Sequence, residues 1–118
     1  MSNELIQRLR DQRKRTVEIE GVTFYYNRPT AEQFARFYSA SATNAQVCIQ
    51  CVTGWSGVTE RRIMGGGSDT PVPYSAAIKA EWFIDDEDIW VPLADAILGS
   101  YDEHRREIED RVKNSERG

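Results

Sequence analysis

Residues 16–30, TVEIEGVTFYYNRPT, hold two runs of alternating apolar and polar side chains on either side of a glycine. Val17 and Ile19 alternate with Thr16, Glu18 and Glu20, the period-two pattern of a half-buried strand. Beyond Gly21 the pattern resumes, with Val22, Phe24 and Tyr26 alternating with Thr23 and Tyr25. Two such runs around a glycine predict a β-hairpin with Gly21 in its turn. Two strands alone are marginal in water, so the aromatic side of this ribbon must lie on helices or pair with another chain.

Working outward, the stretch ends on a helix start. Thr30 is placed to cap a helix and Gln33, three residues on, to close a capping box, with Phe34, Phe37 and Tyr38 on its apolar side. Ser39, Ser41, Thr43 and Asn44 then predict a break. After it NAQVCIQCV (44–52) resumes helix, with Val47, Cys48, Cys51 and Val52 inward. Ser75 is placed to cap a short helix carrying Ile78, Trp82 and Phe83. From Glu87 to about Lys113, Trp90, Leu93, Ala94, Ile97, Leu98, Tyr101, Ile108 and Val112 fall close to the helical period. Carboxylates at 85–88 suit that helix's N-terminal dipole. Pro92 is tolerable only in a first turn, which puts the regular helix near Trp90. Gly99 costs roughly 1 kcal/mol against alanine. On the N-terminal side, residues 3–13 predict a short helix with Asn3 as cap and Leu5, Ile6 and Leu9 on one narrow face.

The sum is an α+β fold: a mostly helical small single domain, 1–118, with one β-hairpin near the N-terminus and a long C-terminal helix. Within it, 1–14 reads as a basic helix set apart, 60–71 as a mobile loop and 102–118 as a charged helical tail. A length of 118 residues suits one modest core. No run approaches the roughly 18 apolar residues of a membrane span. The basic start is not followed by an apolar core, so no secretory signal is expected. The two cysteines make no disulfide framework, which points to the cytoplasm.

Charge is uneven: net −4 overall, yet residues 1–15 carry five basic side chains (Arg8, Arg10, Arg13, Lys14, Arg15) against Glu4 and Asp11. Nucleic-acid binding is disfavoured, because that footprint wants a basic patch with aromatics or a known fold around it. The glycines of GGGSD (65–69) lack the lysine and spacing of a phosphate loop. Cys48 and Cys51 form the only CxxC. With His104 more than fifty residues away and no four-ligand set, they read as small buried hydrophobes rather than a zinc or redox site. DDED (85–88) lacks calcium-loop spacing. Ser75 has no histidine within reach of a triad. No catalytic residue, metal, cofactor or small-molecule substrate is expected, and the chain reads as a non-enzyme.

The run VTGWSGV (52–58), followed after an insert by VPYS (72–75), resembles the small tail assembly chaperones of long-tailed, HK97-like and lambda-like bacteriophages and prophages. In that family a helix leads into a GW.GV-like segment. A loop, a (V/L)P(F/Y)S-type cap, a short helix and a long charged C-terminal helix follow. The likeness covers roughly residues 15–114; the basic N-terminal helix and the GGG insert have no counterpart in the pattern. The resemblance implies a factor of the host cytoplasm that binds the tape-measure protein and/or the tail-tube subunit and is absent from the finished virion. It also implies self-association, hence a possible homo-oligomer, and often a longer frameshifted product. Trp55 reads first as a residue that closes the core, ahead of a mobile loop and a helix cap; if there is a docking groove, it is expected around Trp55, Tyr74, Phe24 and Tyr26, used by a helical partner. The rival readings are a structural head–tail or tail-completion subunit kept in the virion, and a nucleic-acid-binding adaptor using the basic helix.

Overall fold

The computed structural model describes residues 2–117, with side chains from 3 to 115. Its elements, in order, are α1 (Ser2–Arg13), β1 (Lys14–Ile19), β2 (Val22–Asn27), α2 (Ala31–Ser39), α3 (Asn44–Cys51), β3 (Val52–Ser56), α4 (Glu60–Met64), α5 (Ala76–Phe83) and α6 (Glu87–Arg117). The architecture is the small, mostly helical α+β domain with an N-terminal hairpin and a long C-terminal helix.

The hairpin turns through Glu20 and Gly21, at φ 50° and 82°. Positive φ at both central residues is the two-residue turn whose twist matches the strands, and glycine adopts it without strain. The open edge of β2 is then paired by β3, giving an antiparallel sheet of order β1-β2-β3. So the strand partner comes from this chain. Val52, expected to continue a helix, instead opens β3 opposite Tyr26. The β-branched pair Val52-Thr53 followed by a glycine favours that change of state, and ladder bonds to β2 reward it. A register shift between Tyr25 and Tyr26 accommodates the entry.

The sheet is one-sided. Ile19, Val22, Phe24, Tyr26, Val52 and Trp55 are buried on one face, while Thr16, Glu18, Tyr25 and Thr53 lie on the solvent face. Against the buried face pack α3, α5 and the N-terminal half of α6, whose Ile89, Leu93, Ala94 and Ile97 are 0% exposed. Each large aliphatic side chain so buried stabilises the fold by about 1.5–3 kcal/mol. The Tyr26 hydroxyl donates to the Ala96 carbonyl at 3.3 Å, tying sheet to helix. α2 reaches the same helix through Phe34, stacked on Tyr101 with centroids 4.2 Å apart.

Capping explains the short helices. Thr30 and Gln33 form the reciprocal box at the start of α2. The break at 40–43 is real, with Ser41 at φ 52°, and it ends in a second box, Thr43 with Gln46, that starts α3. Ser75 caps α5 by accepting from the Ile78 amide at 3.3 Å. Within 60–71 lies a one-turn helix that sequence did not indicate. Thr59 caps it and Gly65 closes it in the left-handed conformation at φ 76°.

Two expectations at helix starts need correction. Asn3 lies inside α1, which begins at Ser2. α6 begins at Glu87 rather than near Trp90, so Pro92 sits inside the helix. The amides of Ile89 and Trp90 both bond to the Asp86 carbonyl, closing the first turn before the proline is reached. Pro92 is exposed, and its missing amide leaves the Asp88 carbonyl without its usual donor. From Asp102 to Ser115 every side chain but the half-buried His104 is exposed. This half of α6 projects, giving the molecule a long axis of 60 Å.

Candidate functional site

The segment 52–75 closes on itself around Trp55. The Trp55 indole donates to the Val72 carbonyl at 2.8 Å, and its ring meets Tyr74 edge-on with centroids 4.9 Å apart. Trp82 lies on another side at 5.5 Å, also edge-on. Phe24 and Phe83 complete the cluster, 5.9 Å apart. Such edge-to-face pairs are worth about 0.5–1.5 kcal/mol each beyond the area they bury. The two halves of the segment are stitched by backbone bonds as well. The Val72 amide donates to Val58 at 2.9 Å, and Glu60 and Arg61 donate to Thr70 and Ser68.

Phe24 is 0% exposed, Tyr26 5% and Trp55 8%; Tyr74 is half-buried. Trp55, Tyr74 and Phe24 therefore belong to the interior aromatic cluster, and Tyr26 lies apart from it against α6. Tyr26 also borders an open groove at the strand ends, with Lys14, Arg15, Tyr25, Asn27 and Thr53.

Lys79 joins this region from α5. Its ammonium is buried, donates to the Val52 carbonyl at 2.8 Å and sits 5.4 Å over the Tyr74 ring. Sequence gave no sign of it, because a lysine among alanines on a short helix reads as a solvated position. The carboxylates at 85–88 are used structurally in part. Asp86 accepts from the Trp82 indole at 2.9 Å and pairs with Arg62 at 3.1 Å. Cys48 and Cys51 are free and buried. Burial pushes their thiols up to about 12 and about 11, so both stay protonated at neutral pH in this fold. Among the described residues, no group of three or more His, Cys, Asp or Glu is placed to hold a metal ion. No described helix is long and apolar enough to cross a membrane.

Exposed apolar side chains include those at three further places: the thinly striped helices at the two ends, which the sequence already offered as faces for a partner, and a groove that it did not show. On α1, Leu5, Ile6 and Leu9 are 52, 45 and 45% exposed; on distal α6, Ile108 and Val112 are 44 and 52% exposed. Between α4 and α5 a groove of about 510 Å³ is lined by Ile63, Met64 and Ile78, with Glu81 and Asp85 on its rim. The signal available for the first two was the thin apolar stripe at each end of the chain. For the groove there was none, since α4 itself was not foreseen.

Comparison with protein-family models, with curated proteins and with solved structures found no match.

Proposed function

We propose that this chain is a phage tail assembly chaperone, a non-catalytic factor of the infected host's cytoplasm. It binds the tape-measure protein and/or the tail-tube subunit during tail morphogenesis and leaves before the virion is complete. The observation that carries the reading is the Trp55–Val72 clasp. The two short motifs that resemble the family, VTGWSGV and VPYS, are joined there by one hydrogen bond, and Ser75 starts the short helix that precedes the long charged one.

The projecting half of α6 is the surface best suited to the partner. Ile108 and Val112 lie four residues apart on one face of an otherwise charged helix, as in helices that pack alongside another. A side-by-side contact of that kind suits an elongated helical protein such as a tape measure.

The experiment that separates this reading from a structural subunit is quantitative mass spectrometry of lysate and purified particles. The chaperone reading expects the chain in lysate and fewer than one copy per virion. A stoichiometric copy number in particles would overturn it in favour of a head–tail or tail-completion subunit.

A further inference from the structure

We propose that the groove between α4 and α5 is a binding site for a basic amphipathic helix, and that its occupant is α1 of a second copy of this chain. The proposal concerns self-recognition through a particular arm and groove, and it stands whether or not the tail-assembly reading holds.

The occupant's chemistry is written on α1. At about 100° per residue, Leu5, Leu9 and Ile6 make one apolar stripe, with Arg13 in line with it. Arg8 and Arg10 fall on either side of the stripe, while Glu4, Gln7 and Asp11 face away. α1 itself carries Arg8, Arg10 and Arg13 against Glu4 and Asp11, and Asp11 is paired with Lys14 of β1 at 2.9 Å. The stripe is about half exposed and its three residues stand outside the core cluster.

The groove has the complementary form. Its floor is apolar and pliable, with Met64 78% and Ile78 36% exposed. Its surroundings are acidic: residues 60–88 hold seven carboxylates against Arg61, Arg62 and Lys79. Those three cations are already engaged. Arg61 pairs with Asp69, Arg62 with Glu20 and Asp86, and Lys79 points inward to Val52. The rim carboxylates Glu81 and Asp85 are exposed and left to meet an incoming arginine. A methionine on an apolar floor also adapts to helices of varied shape.

The hairpin keeps the two halves apart within one chain. Its turn end is held at α4 by the Arg62–Glu20 pair, 2.9 Å. α1 leaves from the other end, where Lys14 pairs with Asn27. Six strand residues separate those ends by about 20 Å. No α1 residue lines the groove of its own chain, and in the groove of another copy the arm makes a head-to-tail contact that closes by reciprocal exchange or runs on as a chain.

The test uses two full-length variants with exposed substitutions, checked for native circular dichroism. The arm variant carries Leu5→Asp and Leu9→Asp; the groove variant carries Met64→Asp and Glu81→Arg. Analytical ultracentrifugation should find wild type associating with rising concentration, and each variant alone weakened about tenfold or more. Mixed, the two variants should form a one-to-one pair and nothing larger, because one intact arm meets one intact groove. Three outcomes would overturn the proposal. One is a monomeric wild type up to millimolar concentration, leaving the groove to a basic helix of some other protein. Another is an arm variant that associates as wild type does. The third is a mixture that stays monomeric although both variants are folded.

Discussion

The indole of Trp55 and the carbonyl of Val72, 2.8 Å apart, join the end of β3 to the segment that leads into α5. The loop between them is long, and this bond, with the Val72–Val58 backbone bond beside it, fixes where α5 begins. Replacing Trp55 by Phe keeps an aromatic ring but leaves the Val72 carbonyl without its donor, a loss of about 1–2 kcal/mol. Trp55→Ala also empties the centre of the aromatic cluster and should cost about 3–5 kcal/mol. Urea unfolding of the two variants would read both values. Equal small effects would mean that the ring is not a core element.

Thr43 and Gln46 start α3 with the same reciprocal bonds that Thr30 and Gln33 use at α2, the side-chain oxygens accepting at 3.2 and 2.9 Å. Thr43→Ala should therefore destabilise by about 1 kcal/mol, and Thr43→Ser by much less. The comparison of the two substitutions in thermal unfolding isolates the cap from any other role of the position.

Pro92 and Gly99 are two weak points in α6, and both should be improvable. Gly99 sits in regular helix with nothing within 4 Å of an added Cβ, so Gly99→Ala should stabilise by about 1 kcal/mol. Pro92→Ala restores a donor to the Asp88 carbonyl and should add about 1–3 kcal/mol. A melting temperature that falls in either variant would contradict this account of the helix.

The thiols give a pH dependence of definite sign. In the fold, burial raises Cys48 to about 12 and Cys51 to about 11, against an ordinary 9.0. Above pH 9 the unfolded chain ionises while the fold still holds its protons. Stability from these groups is thus complete below pH 9 and is lost as pH rises from there through about 12. Tyr26, whose phenol burial also raises above 10.0, acts in the same direction. Denaturant midpoints measured from pH 7 to pH 11 should fall, and serine at both cysteines should flatten the part due to thiols. A native-state thiol titration at pH 8 should be slow, becoming fast on unfolding.

Sequence carried the hairpin, the capped α2 and α5, and the length of α6, because each has a local signal: alternation around Gly21, Thr30 with Gln33, Ser75, and the apolar repeat from Trp90 to Tyr101. β3 was not legible, since Val52-Thr53-Gly54-Trp55-Ser56 is too short to show alternation and its ladder partner lies some thirty residues upstream. The box at Thr43 and Gln46 was written in the sequence and was obscured by the polar residues around it. The expected docking aromatics show the limit most plainly. A tryptophan at a loop junction reads first as core and second as anchor, and the packing of Phe24, Trp82 and Phe83 around Trp55 places its ring inside.

Co-expression of this chain with a tape-measure protein encoded beside it, scored for a soluble complex at low and high salt, decides whether it is a tail assembly chaperone. The account predicts a co-purifying complex that survives high salt, with tape measure insoluble when expressed alone and retained in solution by the wild-type chain. It further predicts that aspartate at Ile108 and Val112 releases the tape measure. No complex at either salt, with the tape measure equally insoluble with and without this chain, would contradict the chaperone reading.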